Sequence, residues 1–111
     1  MRDHLVFKIL RAEEPLHGPY PGGPTDIVDG FIHLCASDQL AATLGAHFSD
    51  ASRVWVLGFD AAELGPRLRF EPSRGGALFP HLYGVLQLDL ARSRNLLERG
   101  QDGVWPELTA S

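Results

Sequence analysis

With 111 residues, 44% of them hydrophobic and 22% charged, the chain has the size and composition of one folded domain able to bury its own core, and wholesale disorder is excluded. A formal net charge of −4 argues against a nonspecific nucleic-acid binder, which would carry a basic footprint. The single cysteine rules out an internal disulfide and fits a reducing cytoplasm.

The N-terminal Met1-Arg2-Asp3-His4 leads into a short strand, not the apolar run of a signal peptide, and no stretch approaches the roughly 20 apolar residues of a membrane helix. A cytoplasmic protein without membrane contact is expected. Leu5 to Leu10 alternates as a first strand, Phe7 and Ile9 on one side and Val6, Lys8 and Leu10 on the other. Lys8 is the only lysine among ten basic residues, and it stands inside this apolar strand. Snorkelling to the sheet edge is the common fate of such a lysine. From Pro15 to Pro24, prolines and glycines are dense enough to predict a loop with no regular element, either a connector or a cover for a cleft.

Asp29-Gly30-Phe31-Ile32-His33-Leu34-Cys35 then reads as a strand with Phe31, His33 and Cys35 on one face and Ile32 and Leu34 on the other. Ser37 is a good N-cap for an amphipathic helix over about Asp38 to Phe48, with Leu40, Leu44, His47 and Phe48 at helical spacing. Arg53 to Asp60, apolar on both faces, is the expected central strand. Asp60 caps a brief helical turn that Gly65-Pro66 stops. In the strand that follows, Leu68 and Phe70 are expected to face inward, and Arg67, Arg69 and Glu71 outward. Phe79 to Gly84 is a second histidine-bearing strand in which His81 and Tyr83 point the same way. Leu86, Leu88 and Leu90 alternate, a further strand continues through Leu96, and the tail from Glu98 is a surface segment pinned by Trp105. Helices and strands do not alternate. The expected fold is therefore a small α+β single domain over residues 1–111, with a mixed, mostly antiparallel, split sheet and one main helix.

A lone histidine in an apolar strand is usually satisfied by a backbone partner. Two such blocks, around His33 and His81, point instead to a shared cleft with Tyr83, Lys8, Arg69 and Glu71. Two imidazoles, a phenol and an arginine suit a flat anionic ligand such as a nucleotide, and a histidine pair can move protons near neutral pH. No metal is expected, because the two histidines lack metal-ligand spacing. Cys35 as a nucleophile activated by His33 is disfavoured: alternate side chains on a strand stand roughly 7 Å apart. No glycine-rich phosphate loop precedes a helix.

Gly30-Phe31-Ile32-His33-Leu34-Cys35, then Gln39, Phe70-Glu71-Pro72 and Phe79-Pro80-His81-Leu82-Tyr83-Gly84 resemble the signature of the uncharacterised bacterial domain-of-unknown-function family 952. Phe7-Lys8-Ile9 is similar to its opening strand, and Gly103 with Pro106 to its ending. That family is grouped with ADP-ribosyltransferase-like folds, small split sheets that grip NAD. The segment around His33 is also similar to the His-x-His-Leu-Ser stretch of the RNA 2'-phosphotransferase branch. The resemblance implies an NAD- or nucleotide-binding domain that transfers ADP-ribose or acts on a phosphorylated acceptor. By that analogy His33 contacts the nicotinamide-side ribose or a phosphate, and His81 and Tyr83 complete the pocket. Taken with the cleft read from the residues, the catalytic candidates are His33, His81 and Glu71, and the ligand-binding candidates are Lys8, Arg69, Tyr83 and Cys35. Cys35 departs from the family's usual serine or threonine, and the chain is too short for the phosphotransferases' RNA-binding domain. Glu71 is the only position offered for the transferases' glutamate. Two other readings stay open: a non-catalytic module for a small anionic metabolite, and a structural or interaction protein. The oligomeric state is not legible.

Overall fold

Strict side-chain alternation in two long strands divides the interior into two cores. In β1 (Leu5–Arg11), Val6 and Leu10 enter one core and Phe7 and Ile9 the other. In β5 (Arg53–Asp60), Leu57 and Phe59 join the first, Val54 and Val56 the second. A strand apolar on both faces must be covered on both. The computed structural model, which describes residues 4–106, shows how this is done.

β1 and β5 pair antiparallel along their whole lengths, with Lys8 opposite Leu57. β4 (Cys35–Ala36) flanks β1, and β9 (Ser93–Glu98) flanks β5, giving a four-stranded sheet in the order β4-β1-β5-β9. Gly58 is required where β5 passes between its neighbours: a Cβ there would come within 2.5 Å of Ser93 Oγ and 3.0 Å of the Phe7 ring. One face of this sheet is covered by Leu40 and Leu44 of α2 (Leu40–His47), which a 3₁₀ turn at Ser37–Gln39 precedes. The other face packs on a three-stranded sheet of β3 (Ile32–His33), β7 (Leu78–Leu82) and β6 (Leu68–Pro72), in the order β3-β7-β6. A two-stranded ribbon of β2 (Pro19–Tyr20) and β8 (Leu86–Gln87) completes that core with Tyr20, Leu86 and Leu88. Two short helices, α1 (Pro24–Asp29) and α3 (Ala61–Leu64), connect the strands, and Asp60 caps α3 by accepting from the Ala62 amide at 2.9 Å.

The small α+β expectation holds, with five revisions. Every pairing among the described residues is antiparallel, so the sheets are split but not mixed. The proline-rich segment carries β2 and opens α1, because Pro24 stands in the first turn, where its missing N–H costs nothing. The strand around His33 breaks at Leu34 and changes sheets, so Cys35 pairs with Phe7 on β1 and not with the histidine block. Phe70 lies on the edge strand, is 43% exposed, and meets His4 edge-on instead of entering the core. The helix cap also differs: Gln39 Oε1, not Ser37, takes the Ala36 amide at 2.9 Å. Trp105 packs half-buried against the second core, as expected; the tail beyond residue 106 and the opening Met1-Arg2-Asp3 lie outside the described residues. Among the described residues no helix is long and apolar enough to cross a membrane.

Candidate functional site

Antiparallel register decides which side chains meet. On the three-stranded sheet, Ile32 stands opposite Leu82, which stands opposite Leu68, and this row faces the core. One residue along, alternation turns the next row outward: His33 opposite His81, and His81 opposite Arg69. The histidines predicted to converge do so, with ring centroids 5.8 Å apart. Phe31, two residues before His33, stacks on the His81 ring at 4.0 Å and 25°, and Tyr83 lies 5.3 Å from Phe31. The Arg69 guanidinium lies 5.5 Å above the Tyr83 ring.

The two imidazoles are held differently. His33 is fixed from below by Asp26, a buried residue of α1. Asp26 Oδ1 accepts both the His33 backbone amide at 2.9 Å and Nδ1–H at 2.6 Å. Its Oδ2 accepts the Gly23 amide at 2.9 Å and the Lys8 ammonium at 3.1 Å. Burial pushes the Asp26 carboxyl toward protonation, but Lys8, His33 and the two amides outweigh it and hold the group below its ordinary value. On the outer side, Asp29 Oδ2 meets His33 Nε2 at 2.9 Å. Both ring nitrogens of His33 are therefore engaged by carboxylates.

His81 uses only one. Its Nδ1–H donates to Glu71 Oε1 at 2.8 Å, and the Tyr83 hydroxyl donates to the same oxygen at 2.7 Å. Those two bonds hold the Glu71 carboxyl below its ordinary range, and the bond to Glu71 raises the Tyr83 phenol. No hydrogen bond reaches His81 Nε2 among the described residues. The His81 side chain is itself only 7% exposed, and the Phe31 ring stacks on it. With Nδ1 committed to a carboxylate, Nε2 carries the lone pair and can accept a proton or a hydrogen bond.

Of the residues the sequence nominates, His33, His81, Glu71, Arg69 and Tyr83 share this face. Lys8 and Cys35 do not. Lys8 is buried between the sheets, where its ammonium holds Asp26 and the His33 carbonyl, the latter at 3.2 Å. It does not snorkel to an edge. Cys35 is buried in the second core, where burial pushes its thiol up to about 12. Sequence reasoning passes over Asp26 and Asp29, which orient His33. Pro24, Asp26 and Gly30 at the start, first turn and end of a short helix are the signal that could have found them.

Beside the face, Pro21, Ile27, Phe31, Ile32, Gly84 and Val85 line a hollow of about 270 Å³. Phe31 is its shared wall with the histidine cluster. Among the described residues no group of three or more His, Cys, Asp or Glu side chains is placed to hold a metal ion.

The family model described as a protein of unknown function (DUF952) matches residues 10–93. The crystal structure of protein CC0527 from Caulobacter crescentus is similar at 37% identity, with a TM-score of 0.84 over 92% of this chain and 93% of that one. The solution NMR structure of CC0527 is similar at 38% identity, with a TM-score of 0.78 over 90% of each chain. Neither is described with an activity. Among curated proteins nothing matches the chain.

Proposed function

The chain belongs to the DUF952 family of proteins of unknown function, and from that premise we propose that the outer face of the three-stranded sheet binds a small anionic, nucleotide-like ligand on which His81 acts as the proton-transfer group. The observation that carries this reading is the Glu71–His81 pair. A carboxylate on Nδ1 fixes the tautomer and leaves Nε2 as the base, while Tyr83 steadies the same carboxylate. Glu71 is a positioning residue in this arrangement. Arg69 supplies a permanent cation on the same row, suited to a phosphate or carboxylate oxygen.

NAD is the first ligand to test, since an ADP-ribosyltransferase-like relation would assign it. When bound, it supplies a ribose carbon from which nicotinamide can leave. His81 Nε2 would take the proton of an acceptor hydroxyl, and nicotinamide would be the leaving group on that carbon. The rings and Arg69 fit the planar and phosphate parts of such a ligand. The hollow of about 270 Å³ falls just below the roughly 300–1,000 Å³ typical of ligand sites, which favours recognition of one half of a dinucleotide. The same observation favours a second reading, a non-catalytic module for a smaller anionic metabolite.

The test is an NMR titration of the His33 and His81 imidazoles with NAD, ADP-ribose and adenosine monophosphate, with nicotinamide release assayed in parallel. Saturable shifts with release are expected for the transferase. Saturable shifts without release select the module. Absence of shifts with all three ligands contradicts both and leaves a structural or interaction protein.

A further inference from the structure

Asp29 has no evident duty in the fold. It is the last residue of α1, the end of a helix at which a carboxylate gains nothing from the peptide dipoles, and Gly30 follows at φ 86 to turn the chain away. Its side chain is 43% exposed, and among the described residues it forms an ion pair with His33, Oδ2 lying 2.9 Å from Nε2. The ring does not need this contact for its orientation. Asp26 already holds Nδ1 from the buried side, and holds the backbone amide of the same residue. One carboxylate thus positions the imidazole and a second, exposed one covers the nitrogen that faces out.

A carboxylate oxygen on an outward imidazole nitrogen occupies the place where an oxygen of an anionic ligand would sit. We propose that Asp29 is a built-in placeholder. It rests on His33 Nε2 while no ligand is bound and is displaced by a phosphate oxyanion, so that His33 is the recognition point for a phosphorylated ligand. The inference rests on the binding reading given above and narrows it to phosphate esters and anhydrides. Ligands without a strong oxyanion do not compete with a tethered carboxylate, so Asp29 also acts as a filter. The row supports a ligand of some length. His33 and Arg69 stand on strands two apart, roughly 10 Å across His81. A phosphate on His33 therefore leaves the middle of the ligand over Phe31, whose ring covers His81, and its far side toward Arg69.

Binding of inorganic phosphate and adenosine diphosphate to the wild type, Asp29→Asn and Asp29→Ala, measured by calorimetry with His33 followed by ¹⁵N NMR, tests this. Removing an exposed competing charge should tighten both ligands by about fivefold. Adenosine, which lacks phosphate, should show no such gain. In the wild type, phosphate should shift the Nε2 signal of His33 more than its Nδ1 signal. Amide spectra verify the fold, and the near-isosteric Asp29→Asn carries the test if Asp29→Ala does not fold. Adenosine diphosphate binding that is unchanged or weaker in the folded variants overturns the placeholder and leaves the binding reading standing. No binding by any of the three proteins overturns both.

Discussion

Two carboxylate–histidine pairs lie side by side in this protein, and they differ in what they leave over. Asp26 is 5% exposed at its side chain and takes four donors, from His33 twice, Gly23 and Lys8. Glu71 is 33% exposed at its side chain and takes two, from His81 and Tyr83 on one oxygen. The first position is all but closed to solvent, so its lone pairs and protons must find protein partners. At the second, solvent can complete the shell of Glu71, while the His81 ring, 7% exposed, keeps one nitrogen without a carboxylate. Similar residue types thus form a closed shell at one position and a solvent-facing carboxylate at the other.

The largest effect is expected where the shell is complete. Asp26→Ala strands the Lys8 ammonium between the sheets and frees the His33 and Gly23 amides. Breaking a buried pair in this way should cost roughly 3–5 kcal/mol, a large part of the stability of a domain this size. Urea unfolding checks it, and a loss below about 1 kcal/mol would mean that the pair is not a linchpin.

Acid sharpens the same contrast. The Asp26 carboxyl titrates below its ordinary 3.8 in the folded chain, so as pH falls the unfolded chain takes up the proton first. The stabilisation is full above about 3.8 and drains away as pH drops through the lower folded value. Glu71 acts in the same direction from the rim. Urea midpoints measured from neutral pH downward should fall in that window, and Asp26→Asn should flatten much of the fall. An unchanged profile in Asp26→Asn would assign the acid sensitivity elsewhere.

At the rim, Glu71→Gln should leave the urea midpoint close to wild type while changing two spectroscopic readouts. The Tyr83 phenol, raised by its bond to the carboxylate, should move back toward 10.0. Tyr20, held above the ordinary range by burial and by Glu14, should not respond. These are the only tyrosines, so the tyrosinate absorbance separates them. Both waves moving together would mean that Glu71 supports the fold and not only its neighbours. The smallest effect concerns Cys35. With its thiol buried and pushed up to about 12, it should react with a disulfide reagent only as fast as the chain opens. Rapid stoichiometric labelling of the native protein would contradict its placement in the second core.

Much of this arrangement is legible in the sequence, for reasons that differ by element. β1 and β5 can be read because alternation or an unbroken apolar run fixes both their existence and their faces. The meeting of His33 with His81 follows from two extended blocks, but the register that makes them direct partners depends on long-range pairing. Cys35 is misplaced by the sequence because alternation assumes one continuous strand. A backbone bond from the Leu34 amide to the Pro80 carbonyl marks the point where this strand passes from one sheet to another. Lys8 reads as a ligand contact only while its partner is unknown. That partner sits on a six-residue helix inside a proline-glycine segment, too short for periodicity to reveal. Phe70 follows the right alternation, but an edge strand leaves it without a layer to cover it.

The claim on which the functional account turns is that His81, not His33, keeps a ring nitrogen without a carboxylate on it. Imidazole ¹⁵N–¹H correlation spectra of the ligand-free protein near neutral pH test it directly. The account predicts that neutral His81 is the Nδ1–H tautomer, with an unprotonated Nε2 that shifts when a nucleotide is added. A proton found on Nε2, with Nδ1 bare against Glu71, would contradict it.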